Sequence, residues 1–564
     1  MNILGLNYAF HDSTACVLSD GVLAVAIEEE RLNRHKHTYA FPRLSADRCL
    51  KEMKLNYSDI DHIAVSIKPT LHLGQKFLYA LKLLPKVKPF LSQELLRLYY
   101  NQKTFWEWYN THWPKSGMHR PQVHLVPHHM AHMAGTFYAS PYETAALLSL
   151  DGSGEWATSY LGHGKGSELS LISESFFPMS LGSFYEAITQ FCGFRPNYDE
   201  GKTMGLAPMG NPATYRDVVN RMVQIEDSGN IHIDLSYFKY QYLSHERCSE
   251  KFFAAFGQAR QQGEPFRDNH LDAAAAFQRV LEDKVLRICD ILYEKTKEKY
   301  LVISGGVSLN SVMNGRILRE SKFDDLYVMP AAGDNGTAIG ASYYVYNHVL
   351  QQPRHTVHDS PYLGTEYSNS EIQEIIKECK LTAEYHDDIC EVTAEYLRQG
   401  EIIGWFQGRM EIGPRSLGKR SILANPAFAN MKDKINLQVK HREAYRPFAP
   451  AAPLEHVTEY FEMDKEDPFM LKVCYVRPDK RDVIPAVVHV DGSARLQTVR
   501  KEINPRFHEL LSKFGQLNNI PVLLNTSFNI MGEPIVESPI DAIRCFFSTG
   551  LDKLVLGNYL ISKS

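Results

Sequence analysis

His128 and His132, in "VPHHMAHMAG", stand four residues apart, a spacing that puts two side chains on one face of a helix. Two imidazoles so placed can grip one ion. Shortly after them the apolar run "AALLSL" ends in the acidic, glycine-rich turn Asp151-Gly-Ser-Gly, and "YVMPAAGDNGTAIGAS" puts Asp334 in another strand-to-helix turn. Imidazoles joined by carboxylates suit a first-row transition metal, whereas oxygen-only ligation suits magnesium. The spacing alone also fits ordinary surface histidines, since His124 and His129 are neighbours. The two aspartates on nucleotide-type turns tip the balance toward a metal site that also holds nucleotide phosphates.

Other residues of chemical interest lie at further turns. "YAFHDS" sets His11 and Asp12 at the mouth of a strand. An imidazole there could orient a substrate or act as general base, because its ordinary pKa is near neutral; the bland alternative is a turn histidine bonded to Asp12. In "KYLVISGGVSLNSVMNGRIL" an apolar strand meets Gly305-Gly306 and a helix follows. Paired glycines let a backbone approach a ligand, and a helix N-terminus offers free N–H groups to an anion. Between Arg409 and Arg446 there are nine Lys/Arg against three Asp/Glu, interleaved with Gly, Pro and apolar positions. That interleaving fits a concave anion site better than a solvated basic face. "PVLLNTSFNIMGEPIV" adds a strand ending in Asn525-Thr-Ser527, suited to a small planar amide or a phosphate.

The elements that must position these groups read as α/β. "NILGLN" is a short apolar strand, and "STACVLSDGVLAVAIEEE" is a hairpin turned at Asp20-Gly21. "AALLSLDGSGEWATSYLGHGKG" repeats the scheme of strand, polar turn and strand, which points to duplicated halves around a cleft. The aromatic, amphipathic stretch 78–113 reads as a helical insertion. A polar, proline-bearing break at 347–364 separates the halves of the chain. At 564 residues, two domains are expected, over 1–350 and 364–564.

Composition narrows the partners. A net charge of −5 gives no general reason to bind nucleic acid or an anionic membrane, so any basic site must be local. No apolar run approaches membrane-spanning length, and no basic segment followed by an apolar run opens the chain. The nine cysteines form no CxxC pair, as expected of reduced thiols in a cytoplasmic protein.

The strand-end turns with their acidic residues resemble the actin-like ATPase fold of sugar kinases and heat-shock ATPases. With "HHMAH", "LDGSGE", "GKTMGLAPMG", "SGGVSLNSVMNG" and "AAGDNGTAIGA" in this order, the chain resembles the O-carbamoyltransferases of the nebramycin/tobramycin and nodulation-factor type. The first domain of that family is similar to the tRNA threonylcarbamoyl transferase, and the second has a threonylcarbamoyl-adenylate synthase (YrdC-like) fold. The resemblance implies a metal, Fe2+ or another divalent transition ion, on His128, His132, Asp151 and Asp334, with Mg2+ as a further candidate ion. It implies nucleotide binding by Lys36, Lys202, Gly305, Gly306 and Asn310, although a surface lysine fits Lys202 nearly as well. His11, Asp12 and Lys36 are the implied catalytic residues. Carbamoyl phosphate falls to Arg415, Lys440, Arg446, Arg495, Asn525 and Ser527.

The implied reaction makes carbamoyl-adenylate from ATP and carbamoyl phosphate, then transfers the carbamoyl group to a hydroxyl of a small-molecule or sugar acceptor, with a homodimer as candidate assembly. Three enzyme readings compete. A sugar kinase leaves the basic second half unexplained, and a tRNA threonylcarbamoyl transferase should show a basic face. A hydrogenase-maturation enzyme should carry CxxC zinc modules. A non-catalytic actin-like ATP-binding protein is the alternative from another class.

Overall fold

The structure, a computed structural model, describes residues 1–8, 10–83, 88–115, 119–242, 245–354, 359–443 and 445–563, without the side chains of 88–98. Its contacts divide the chain into two units. One comprises Met1–Glu29 and His37–His358; the other comprises Glu30–Lys36 and Asp359–Ser564. The short segment that carries Lys36 thus belongs with the second unit.

The first unit is built twice over. Strands β1 (Asn2–Asn7), β2 (Thr14–Ser19) and β3 (Val22–Glu28) form an antiparallel meander. The β2–β3 turn is Asp20-Gly21, both at positive φ, as a two-residue hairpin requires. Strands β4 (His62–Val65) and β5 (Gln122–Leu125) then add in parallel on the other side of β1, giving the order β3-β2-β1-β4-β5. The second sheet repeats this order. A meander of β6 (Thr144–Leu150), β7 (Ala157–Lys165) and β8 (Glu168–Phe176) is extended beyond β6 by the parallel strands Tyr300–Ser304 and Asp325–Tyr327. The duplicated α/β architecture expected from the paired hairpins is therefore present.

Helix His128–Ala139 enters between the sheets. It packs on helix Thr337–Tyr343 so closely that a Cβ on Gly340 would lie 1.7 Å from the Ala131 carbonyl oxygen, and one on Gly135 would lie 3.0 Å from Gly340 Cα. Backbone thus meets backbone, which only glycine permits. The insertion read from the sequence is a pair of helices, Leu73–Lys82 and Lys88–His112; the intervening residues 84–87 lie outside the described residues. The second helix lays Phe105 and Trp108 against Tyr8 and Phe41 of the first sheet's loops. Of the 347–364 break, residues 355–358 lie outside the described residues.

The second unit is a mixed eight-stranded sheet. Its central strands Ile403–Phe406, Arg420–Ala424, Leu523–Ser527 and Ala449–Pro453 pair antiparallel in turn. Helices Ile389–Arg398 and Pro505–Asn518 cover one face with Ile389, Leu397, Phe507, Leu510 and Phe514 against Trp405, Leu423 and Val555.

Gly340→Ala tests the helix crossing. The added methyl overpacks a backbone contact, so stability should fall by about 1–3 kcal/mol or more. Chemical denaturation of the purified variant reads this directly, and an unchanged midpoint would contradict the described packing.

Candidate functional site

Asp151 follows β6, a strand buried over six of its seven residues. The parallel register pairs Ser304 with Ser149, which brings Gly305-Gly306 alongside Leu150-Asp151. Gly305 sits at φ +87°, and a Cβ there would come within 2.2 Å of the Leu150 carbonyl oxygen. Gly306 donates its N–H to Asp151 Oδ1 at 3.1 Å. A 3-10 turn spans Gly306–Leu309, and the α-helix begins at Ser311, capped by the Asn310 side chain, which accepts from Met313 N–H at 3.0 Å. Gly305, Gly306 and Asn310 thus build the turn that holds Asp151, and the Gly306 N–H is already committed to that carboxylate.

Asn7, at the end of β1, gathers the other half of the site. Its buried amide lies within hydrogen-bond reach of the carbonyls of Asp334 (2.9 Å), Asp12 (3.1 Å) and His11 (3.2 Å). Sequence reading passed over Asn7, although a polar residue closing an otherwise apolar strand was the available signal.

These supports bring His128, His132, Asp151 and Asp334 together, all buried, with one ligand atom of each within 4.8 Å of the others. His128 Nε2 lies 3.0 Å from Asp151 Oδ2 and 3.5 Å from Asp334 Oδ1. His132 Nε2 lies 3.6 Å from Asp151 Oδ2, 3.5 Å from Asp334 Oδ1 and 3.0 Å from His128 Nε2. Asp334 Oδ1 is buried with no hydrogen-bond partner. Two nitrogens and two carboxylate oxygens converge on one point with an acceptor left over, and that donor set fits a divalent transition metal. Burial alone would neutralise His128, but Asp334 and Asp151 outweigh it and push its pKa up to about 10. Burial also opposes ionisation of Asp334, yet His11 and His128 bring it down to about 2. The site is built for positive charge, whether protons or a metal ion that displaces them.

The third histidine of the motif has a different task. His129 Nε2 lies 3.0 Å from the Ala157 carbonyl and Nδ1 lies 2.8 Å from Ser149 Oγ. The carbonyl can only accept, so Nε2 carries the proton and Nδ1 takes the serine hydroxyl. Burial holds its pKa down at about 3, so this ring is a neutral tie between β6 and β7.

His11 and Asp12 stand beside the cluster. His11 Nε2 is 3.8 Å from Asp334 Oδ2, and His11 Nδ1 is 2.8 Å from Asp12 Oδ2. The other oxygen of Asp12 meets His37 Nδ1 at 2.8 Å, so one carboxylate orients two imidazoles. His37 was not singled out in the sequence, where only its neighbour Lys36 was given a role. Lys202 pairs with Asp199 at 3.1 Å, and its ammonium lies 5.5 Å from the Phe194 ring centre.

The basic residues of the second unit form a nest of like charges. Burial first, then Arg495 and Arg446, hold Arg415 well below the usual guanidinium range. Burial and Arg446 bring Arg495 down to about 10. Arg442, not singled out in the sequence, is depressed by burial and by Arg446 and Arg495. Cations crowded in this way call for an anion. Lys440 is buried and tied by its ammonium to Ser527 and Asn529, with Asn529 Oδ1 at 2.8 Å. Its pKa is lowered by burial and by neighbours that include Arg442 and Lys36. Lys36 is thus among the charges of the second unit.

The loop bearing Arg415 is pinned along its length. Glu411 Oε1 accepts the N–H groups of Leu417 (2.6 Å) and Arg420 (3.2 Å), while Trp405 Nε1 donates to the Gly418 carbonyl at 3.1 Å. Asn525 Nδ2 donates to the Ser416 carbonyl (3.2 Å) and to Gln497 Oε1 (2.8 Å), which leaves its buried Oδ1 without a partner.

Residues 2–343 match the model described as carbamoyltransferase N-terminus, and residues 394–563 match that described as carbamoyltransferase C-terminus. The chain belongs to the carbamoyltransferase family. It is an enzyme that transfers a carbamoyl group. Among family members, the nodulation protein NolNO of Sinorhizobium fredii is 37% identical over 565 residues, covering 99% of this chain and 80% of the relative. The 3'-hydroxymethylcephem-O-carbamoyltransferase of Amycolatopsis lactamdurans is 37% identical over 258 residues, 46% of this chain and 48% of that enzyme. Among solved structures, HypF of T. kodakarensis is 12% identical with a TM-score of 0.34, covering 62% of this chain and 48% of that one. No described helix is long and apolar enough to cross a membrane.

Replacing both His128 and His132 with Ala should abolish binding of a divalent transition metal while leaving the far-ultraviolet circular dichroism unchanged, because two carboxylates alone hold such an ion poorly. Metal analysis after dialysis against Fe2+ or Co2+ checks this; equal loading of the double variant and wild type would remove these histidines from the ligand set.

Proposed function

We propose that this carbamoyltransferase is ATP-dependent and works in two steps. At the cationic nest of the second unit, water cleaves carbamoyl phosphate to carbamate and phosphate, and a carbamate oxygen then attacks the α-phosphorus of ATP, releasing pyrophosphate and giving carbamoyl-adenylate. An acceptor hydroxyl then attacks the carbamoyl carbon at the histidine–aspartate site of the first unit, and AMP leaves. The observation that carries this reading is the presence of two chemically distinct sites. One is a buried group suited to a dication, and the other is a set of crowded guanidinium groups suited to phosphates.

In the activating step Arg415, Arg442, Arg446 and Arg495 offset phosphate charge, with Lys36 added to their field. Lys440 braces the loop after strand Leu523–Ser527, so it shapes the nest from behind. Asn525 Oδ1 is a fixed acceptor in a region otherwise rich in donors, and we assign it to the carbamoyl amine. In the transfer step His128, His132, Asp151 and Asp334 would hold the metal, which when bound supplies positive charge for phosphate oxygens. Asp12 fixes both His11 and His37 through their Nδ1 atoms, and His11 turns its Nε2 toward Asp334. Gly305, Gly306, Asn310 and Lys202 border the nucleotide in this reading. The acceptor is a small-molecule or sugar hydroxyl, in keeping with the similarity to the 3'-hydroxymethylcephem-O-carbamoyltransferase, and the setting is cytoplasmic.

Arg446→Ala should slow adenylate formation about a hundredfold or more, from the loss of about 2–4 kcal/mol of charge stabilisation. It should still carbamoylate an acceptor from supplied carbamoyl-adenylate. Asp151→Asn should do the reverse. Mass spectrometry of the intermediate and product separates the two, and equal loss of both reactions in a folded Arg446→Ala protein would refute the two-site scheme.

Asn525→Ala should weaken the preference for carbamoyl phosphate over acetyl phosphate by about tenfold or more, since one buried hydrogen-bond partner is worth about 1–3 kcal/mol. Competition between the two donors measures this. An undiminished preference would exclude Asn525 as the reader of the amine.

A further inference from the structure

His128 lacks the usual support of a metal-binding histidine. A ligating imidazole normally gives its second nitrogen's proton to a carboxylate, carbonyl or water, which fixes the ring. His128 Nδ1 is buried and has no hydrogen-bond partner. Its ring is confined by packing: the Phe10 ring lies 4.6 Å away, and a Cβ on Gly154 would come within 3.0 Å of His128 Cβ and Cδ2. Packing limits the ring's rotation but does not set where its backbone begins.

That position depends on the next residue of the same turn. His128 is the first residue of its helix, and Pro127 before it gives no side-chain cap. Glu155, buried from solvent, supplies the cap from across the chain. Its Oε1 accepts the His128 N–H at 3.0 Å and the Lys68 N–H at 2.7 Å, and its Oε2 lies 3.2 Å from the same His128 nitrogen. One carboxylate thus ties three segments: the turn that bears Asp151, the start of the helix that bears His128 and His132, and the chain after β4. A negative group at a helix N-terminus also gains from the aligned peptide dipoles.

We propose that Glu155 is the positioning residue of the metal site. It sets the distance between the helix carrying two ligands and the turn carrying a third, without touching the ion. This inference rests on the metal reading of His128, His132, Asp151 and Asp334.

The test uses full-length wild type, Glu155→Gln and Glu155→Ala, with Co2+ as the probe. Affinity is read by chelator competition and geometry by the visible d–d absorption. Gln keeps an acceptor at Oε1, so it should bind Co2+ nearly as wild type does and with the same spectrum. Ala should weaken Co2+ binding about 10- to 100-fold, as loss of an outer support does, and should change the d–d bands. A merely structural cap would lower the melting temperature of the Co2+-free protein and leave affinity and spectrum alone. Wild-type affinity and spectrum in Glu155→Ala would therefore overturn the proposal. Failure of wild type itself to bind Co2+ would overturn the metal reading, and this inference with it. If the alanine variant is insoluble, Glu155→Asp replaces it: one methylene shorter, Asp cannot span both N–H groups, and the same loss is expected.

Discussion

Two aspartates buried within a few ångströms of each other impose the constraint on which the first unit is built. Asp151 and Asp334 cannot both be ionised in a dry interior unless positive charge meets them. The structure answers with His128 and His132 on one helix face and His11 beside Asp334. Every nearby oddity serves that juxtaposition. Gly135 and Gly340 let two helices touch backbone to backbone, Asn7 ties together the turns of His11, Asp12 and Asp334, and Gly305 lets its strand end press against Leu150.

The second unit meets the opposite problem. Its guanidinium groups are crowded with like charges, and Asp467 is the acid whose charge offsets both Arg415 and Arg495. Such a nest is costly until an anion enters, and the rigid loop around Glu411 keeps Arg415 from relaxing outward. Preorganised positive charge in one unit and preorganised negative charge in the other suit a reaction that first activates a phosphate-linked donor and then releases a nucleotide.

Much of this was legible because local pattern and chemistry coincide. The HxxxH spacing is a property of a single helix, so it survives translation into structure unchanged. The hairpins at Asp20-Gly21 and Asp151 are likewise local, and their repetition correctly announced a duplicated sheet. Where a residue's surroundings depend on a distant partner, the local sequence is silent. Nothing in "NRHKH" shows that His37 shares the Asp12 carboxylate, and nothing in "VKHREAYR" shows that Lys440 braces a strand-end loop while Arg442 joins the nest.

The sequence by itself determined the family, the α/β class and the four residues that meet in one buried cluster, because motif order and residue type carry those without reference to distant chain. Tertiary structure alone decided what the intervening His129 does. His129 turns away because Ser149 and Ala157, brought near by strand pairing, occupy both of its nitrogens. It also decided that Gly306 serves Asp151 directly, through a parallel register spanning more than 150 residues of chain. Hydrogen bonds and charge fall off over a few ångströms, so their consequences become readable only when the fold has set the distances.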